Sequence, residues 1–201
     1  MKKRLFSLVL MTLLIMVTGC GSAAKTEAPA PSAKPKTTAT EKAVTNQKIL
    51  VAYFSATGTT KAAAEQLAKE VNADLFEIVP QQPYSREDLN YNDQNSRCVK
   101  EHNDPSFRPA IKNKLPDMQK YDVVFIGYPI WWGVTPNILL TFMESYDFAG
   151  KTLVPFCTVI SSGFGRSDAE LKRLTPKAKW LPGRDLTDGN DIARFVSGLK
   201  L

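Results

Sequence analysis

The sequence has few of the residues that form metal sites, catalytic pairs or disulfide bonds. Its 201 residues include one histidine, His102, and three cysteines, Cys20, Cys98 and Cys157. No cysteine or histidine pair has ligand spacing, so we predict no metal site. No acid–base or nucleophile–histidine pair stands out either, so we predict no catalytic side chain and a solvated His102. An oxidising compartment would permit a Cys98–Cys157 disulfide, but without geometric support for it we favour two unpaired thiols.

The sequence also lacks a basic domain. The whole chain has a formal net charge of +6, yet residues 48–201 carry 19 Lys and Arg against 18 Asp and Glu, a net charge of only +1. Proteins that bind nucleic acids carry their positive charge on the folded domain, so we predict no nucleic-acid partner. The excess lies in the first 47 residues, where lysines would lie near anionic lipid headgroups.

The first 19 residues have the build of a secretory signal. Lys2, Lys3 and Arg4 precede an apolar run from Leu5 to Val17. A bilayer-spanning helix needs roughly 20 apolar residues, so this run would cross a membrane only if the residues that follow it joined the span.

Val17-Thr18-Gly19-Cys20 resembles the lipobox of bacterial lipoproteins. The resemblance implies cleavage before Cys20 and lipid attachment to its thiol, which would anchor the protein to the membrane from outside the cytoplasm, at the cell envelope. The alternative is an ordinary signal peptide with a coincidental cysteine. Residues 20–47 are poor in large apolar side chains and rich in proline, so we predict a disordered tether ahead of a folded domain at 48–201.

Within residues 48–201, buried-type strands alternate with amphipathic helices. This alternation predicts parallel pairing through right-handed crossovers, and therefore an α/β three-layer sandwich. Pro155 inside the fourth strand removes a ladder donor and favours a bulge or an edge there. The predicted strands are 49–54, 75–79, 121–127, 151–158 and 180–186, and the predicted helices are 61–71, 136–146, 167–174 (with Ser167 as the N-cap) and 191–199.

Residues 81–116 form a long connection with little periodicity, apart from a short helix predicted at 108–115. Connections of this length are usually binding loops or lids, although a passive surface insertion is an equal alternative.

The loop after the first strand, 55–60, has four hydroxyl residues and a glycine before a helix start. Backbone N–H groups at a helix N-terminus attract anions, and hydroxyls add donors, so this loop suits a phosphate group. A polar turn that merely caps the helix is the alternative.

Ser55-Ala56-Thr57-Gly58-Thr59-Thr60 resembles the T/S-x-T-G-x-T phosphate loop of flavodoxins. The resemblance implies a five-stranded parallel sheet of order 2-1-3-4-5 and FMN as the cofactor, with its phosphate on this loop. The residues that would bind the phosphate are Ser55, Thr57, Gly58, Thr59 and Thr60.

Two further loops resemble the flavodoxin loops that flank the isoalloxazine ring. The loop after the third strand would provide Pro129, Ile130, Trp131, Trp132 and Gly133, and the loop after the fourth would provide Ser161, Ser162, Gly163, Phe164 and Gly165. Tryptophans can stack on a flavin, although one of them could instead pack beneath the 81–116 insertion. The last loop is preceded by Val159-Ile160, which departs from the usual glycine and serine run, and alone it could be an ordinary glycine-rich turn.

The resemblance implies electron transfer to a redox partner protein or reduction of a small electron acceptor. An NAD(P)H-dependent quinone-type reductase is an alternative, favoured by the long insertion and by a domain charge that departs from strongly acidic carrier flavodoxins. The absence of a G-x-G-x-x-G fingerprint argues against a separate nicotinamide site. A surface lipoprotein that keeps the fold without flavin is a third hypothesis.

Overall fold

A computed structural model describes residues 47–189 and 191–201. The predicted signal, the lipid-attachment residue Cys20 and nearly all of the predicted tether lie outside these ranges. The elements are β1 (Ile49–Tyr53), α1 (Thr59–Val71), β2 (Asp74–Glu77), α2 (Arg97–Asn103), β3 (Val123–Pro129), α3 (Asn137–Glu144), β4 (Thr152–Thr158), α4 (Ala169–Leu174), β5 (Lys179–Trp180), β6 (Arg184–Asp185) and α5 (Ile192–Gly198).

The strands form one parallel sheet of order β2-β1-β3-β4-β5, with β6 also paired to β4. Alternate residues of β1 enter two separate cores: Leu50 packs on the face covered by α3 and α4, and Val51 on the face covered by α1 and α5. This two-sided burial explains why the strands are apolar without alternation. The predicted three-layer fold and its strand order are confirmed.

The predicted fifth strand is divided into β5 and β6, and Pro155 lies opposite the division. Lys151 and Leu153 accept hydrogen bonds from the β5 segment, and Cys157 accepts one from Leu186 beside β6. Because alternate residues of a strand bond to the same neighbouring strand, the backbone of Pro155 also faces β5 and β6, at a point between these two sets of bonds. A central strand therefore accommodates the proline because its neighbour is interrupted at that point.

The 81–116 insertion differs from the prediction. Residues 108–115 are not helical, because Ile111 forms an antiparallel bridge with Pro80. Beside this bridge, Gln81 N–H donates to the Ala110 carbonyl and Lys112 N–H donates to the Val79 carbonyl. The helix of the insertion is instead α2, which buries Cys98, Val99 and Glu101. Pairing with the segment that follows β2 outweighs the weak helical pattern of 108–115.

Helix starts also differ in detail. The N-cap of α4 is Asp168 and not Ser167, whose hydroxyl instead forms a hydrogen bond with the buried Tyr128 hydroxyl at 3.1 Å. Pro136 is the N-cap of α3 and lies just ahead of its first turn.

Cys98 and Cys157 are both buried and unpaired. Burial, followed by the charge of Asp185, raises the pKa of Cys157 to about 12. None of the helices in residues 47–189 and 191–201 combines the length and apolar character needed to cross a membrane.

Candidate functional site

The three predicted loops follow β1, β3 and β4, which are adjacent in the sheet, so their carboxyl ends meet at one edge. Backbone bonds join them: Phe54 donates to the Gly127 carbonyl at 3.0 Å, and Ile130 donates to the Thr158 carbonyl at 3.0 Å. The structure therefore brings the loop residues predicted from sequence to one edge, where α/β sheets bind ligands.

The first loop presents free backbone donors at the start of α1. Gly58 has φ +95°, which favours glycine, and its N–H bonds to the Ser55 hydroxyl oxygen at 3.1 Å. The first helical bond is donated by Ala62 to the Gly58 carbonyl. Within the described part of the chain, the N–H groups of Thr59, Thr60 and Lys61 have no acceptor. Such an array is the anion-binding end of a helix.

The hydroxyls of this loop do not all face outward. Thr57 and Thr59 are exposed, whereas Thr60 is 1% exposed and shares a 2.7 Å hydrogen bond with the hydroxyl of Thr158, itself buried at the end of β4. The Thr60 side chain thus connects two of the three loops beneath the surface. Of the polar groups of Thr60, only the backbone N–H is free for the phosphate binding that the flavodoxin resemblance implies.

The second loop turns tightly at Trp132 and Gly133. Trp131 and Val134 exchange both backbone hydrogen bonds at 3.0 Å, and the two residues between them have φ +48° and +81°. Positive φ at both central positions is typical of a type I′ turn. A non-glycine residue such as Trp132 rarely adopts this conformation, so the turn holds its indole at some cost in backbone energy.

Both tryptophans contact the 81–116 insertion. Trp131 lies edge-on to Phe54 and to Tyr84, with ring centroids 6.0 and 5.4 Å apart. Trp132 is 43% exposed and stacks on His102, with centroids 4.7 Å apart and planes inclined by 21°. His102 therefore lies on α2 and not in a polar loop, and it is half-buried against the Trp132 ring.

The third loop exposes Ser161, Ser162 and Gly163, but not all of Phe164. A Cβ atom added to Gly183 would lie 2.2 Å from Phe164 Cζ, so this ring packs tightly against the β5–β6 connection. Ile160, just ahead of the loop, is 97% exposed. The base of the loop is held by Thr187, whose hydroxyl oxygen accepts a bond from Val159 N–H at 2.8 Å.

A cavity of about 350 Å³ opens beside the third loop. Phe164 and Gly165 form one side, and Arg166 and Lys172 bring positive charge to it. Asp168, which is 6% exposed, forms an ion pair with Lys172 at 2.7 Å. Among the described residues, no carboxylate forms an ion pair with Arg166.

Four residues at this edge were not predicted for the site: Tyr84, His102, Thr158 and Ile160. Tyr84 and His102 reach it through pairings distant in sequence, which no local pattern indicates. The sequence identifies Thr158 as the end of a strand and Ile160 as an apolar residue in a polar loop. Neither feature by itself indicates that the residue belongs to the site.

Residues 48–197 match the family model described as Flavodoxin. Among solved structures, a candidate flavoprotein from Bacteroides eggerthii DSM 20697 is 49% identical, with a TM-score of 0.74 over 78% of this chain and 99% of that one. A second, from Bacteroides uniformis ATCC 8492, is 42% identical, with a TM-score of 0.72 over 75% and 98%.

A flavoprotein from Lactobacillus acidophilus NCFM, whose crystal structure is a complex with FMN, shares the fold at 19% identity and a TM-score of 0.57, over 75% of this chain and 99% of that one. A comparison with curated proteins finds no match. The extent of the family match and the 49% identical relative together show that the chain belongs to the flavodoxin family.

Proposed function

We propose that this flavodoxin-family domain binds FMN at the edge formed by its three loops and transfers electrons at the cell envelope. The observation that carries the proposal is the array of free N–H donors on Thr59, Thr60 and Lys61, next to the left-handed Gly58. A Cβ at Gly58 would meet nothing within 4 Å, so the loop is open to a group approaching its backbone.

The residues present fit the phosphate group of FMN. The N–H groups would hold it together with the exposed hydroxyls of Thr57 and Thr59, and Ser55 keeps its O–H free because its oxygen accepts from Gly58. Lys61 would contribute only its backbone, since its ammonium group pairs with Glu77 at 3.2 Å. Binding would therefore rely on neutral donors and the helix dipole.

The ring would lie against the second and third loops. Trp131 and Trp132 offer aromatic surface, and the exposed Ile160 adjoins Ser161. The bound flavin would supply the electron-transfer chemistry, while these side chains exclude water and fix its orientation. The FMN complex of the Lactobacillus acidophilus flavoprotein, which has the same fold, supports this choice of cofactor.

Reduction of a small acceptor by NAD(P)H is a second candidate function. The cavity beside the third loop favours it, because Arg166 could bind an anionic small molecule there, next to the ring loop. Transfer to a partner protein needs no such cavity.

The location at the envelope rests on the sequence of the first 20 residues. FMN is made in the cytoplasm, and the signal has no twin-arginine pair, so a chain exported unfolded would have to acquire its flavin outside. The third hypothesis, a lipoprotein that keeps the fold without flavin, follows from this difficulty.

Anaerobic titration of the full-length protein separates these functions. The purified protein, supplied with FMN, should show a protein-bound flavin absorption spectrum. Rapid bleaching by NADH or NADPH would indicate a reductase, and bleaching only by dithionite would indicate a carrier. Failure to retain FMN under any condition would favour the flavin-free hypothesis.

A further inference from the structure

We propose that Tyr84 is a positioning residue of the flavin site, holding Trp131 in place from the 81–116 insertion. This inference rests on the proposed function, and it gives the insertion a specific role instead of that of a passive surface loop.

Three aromatic rings meet at the carboxyl ends of β1 and β3. The Tyr84 ring lies 5.4 Å from Trp131, inclined by 80°, and 5.7 Å from Phe54, inclined by 56°. Phe54 and Trp131 lie 6.0 Å apart at 83°. All three distances fall within the range of favourable edge-to-face contacts, so each ring limits the movement of the other two.

Tyr84 is fixed at its far end by a charged cluster on α2. Its hydroxyl donates to Glu101 Oε2 at 2.5 Å, and Arg97 Nε donates to Glu101 Oε1 at 2.7 Å. The Arg97 guanidinium also lies 4.0 Å from the centroid of the Tyr84 ring, a cation–π contact. The tyrosine is thus held at both its hydroxyl and its ring.

This cluster is densely hydrogen-bonded and connected to the main fold. Glu101 is 4% exposed and has both carboxylate oxygens bonded, and Arg97 donates in addition to the Gln82 carbonyl at 2.7 Å. Asn137 at the start of α3 donates to the Glu101 carbonyl at 2.8 Å. Burial, and then the bond to Glu101, raises the pKa of Tyr84, so its hydroxyl remains a donor at all working pH values.

Preorganised side chains bind a ligand more tightly because less conformational entropy is lost when the complex forms. The Trp131 ring, held between Phe54 and Tyr84, is preorganised in this way before flavin binds. Removing Tyr84 should therefore weaken flavin binding through Trp131, although Tyr84 need not touch the flavin itself.

Titrations of full-length protein with FMN test this inference with five variants. Tyr84→Leu should raise the Kd for FMN about five- to tenfold, the size expected for one lost aromatic contact, and should brighten bound-flavin fluorescence. Tyr84→Phe, which keeps the ring, should give a smaller change. Tyr91→Leu is the matched control, since Tyr91 lies in the same insertion and is 62% exposed. It should behave as the wild type.

Trp131→Leu alone and combined with Tyr84→Leu distinguishes positioning from general destabilisation. If Tyr84 acts through Trp131, Tyr84→Leu should change the Kd less than about twofold in the Trp131→Leu background. Equal effects in both backgrounds, or a Tyr84→Leu protein that melts earlier but binds FMN with unchanged Kd and emission, would overturn the inference. Should Tyr84→Leu not fold, unchanged Kd and emission in Tyr84→Phe would overturn it also. A wild type that does not bind FMN is a separate result, because it rejects the proposed function and this inference with it.

Discussion

At the residue scale, the hydroxyl pair of Thr60 and Thr158 is the buried link between the phosphate loop and the end of β4. Each hydroxyl is satisfied by the other, at 2.7 Å, and both residues are almost inaccessible. A hydroxyl left alone in this position loses its partner without gaining water, so the cost of a single substitution exceeds the value of the bond itself.

We expect Thr60→Val and Thr158→Val each to lower the free energy of unfolding by about 1–3 kcal/mol. The double variant should lose clearly less than the sum, because no unpaired hydroxyl remains. Urea unfolding of the four proteins measures this cycle. Strictly additive losses would mean that the two hydroxyls do not depend on each other.

Residue roles were only partly predictable from the sequence. The hydroxyl-rich loop indicated a phosphate site, whereas the positive φ of Gly58 became evident only from the structure. That Thr60 faces inward depends on Thr158, 98 positions away, and the packing of Phe164 depends on Gly183. Such contacts follow from the register of strands, which local patterns do not contain.

At the scale of elements, the interruption between β5 and β6 is where three sequence features meet. Pro155 lacks a ladder donor, Gly183 has no side chain, and Phe164 fills the space over Gly183. A Cβ at Gly183 would lie 2.2 Å from Phe164 Cζ and 2.8 Å from Pro155 Cγ, so either the ring or the backbone would have to move.

Gly183→Ala should therefore lower the free energy of unfolding by about 1–3 kcal/mol, the usual cost of overpacking. Adding Phe164→Leu, which removes the Cζ atom, should recover part of that loss. Thermal melting of the single and double variants, beside Gly198→Ala, measures the effect. Gly198 has no atom within 4 Å of an added Cβ, so a loss at Gly183 no larger than at Gly198 would contradict the packing argument.

Elements with strong apolar patterns were predicted well. The first four strands follow from continuous apolar runs separated by helices, whereas the order of the sheet was implied by the flavodoxin resemblance. The helix of the 81–116 insertion was not predicted, because α2 has only seven residues and is rich in charge. Its buried side is therefore not an apolar stripe. Glu101 is buried there by its pairing with Arg97 and Tyr84, a form of burial that hydrophobic periodicity does not detect.

At the scale of the whole molecule, the sequence divides into an N-terminal segment with most of the excess positive charge and a nearly neutral flavodoxin-family domain. The family match begins at residue 48, where the composition changes. Lipid attachment at Cys20, which the lipobox resemblance implies, remains a prediction about the N-terminal segment.

Cys20→Ser tests that prediction. The wild type should partition into membranes as a processed, acylated form, since lipid chains supply the membrane affinity. The variant should remain uncleaved or become soluble. Membrane fractionation and mass spectrometry of the N-terminus would measure both. A processed variant still found wholly in the membrane fraction would reject lipid anchoring at Cys20.

The most direct test of the account is a comparison of FMN and riboflavin binding by the same full-length protein. If the N–H array at the start of α1 holds the phosphate, riboflavin lacks the group that these donors bind. Each hydrogen bond to a charged group contributes about 1.5–3 kcal/mol. Titration calorimetry should then give an FMN Kd at least about a hundredfold lower than that of riboflavin. Equal affinity for the two flavins would contradict a phosphate site on residues 55–60.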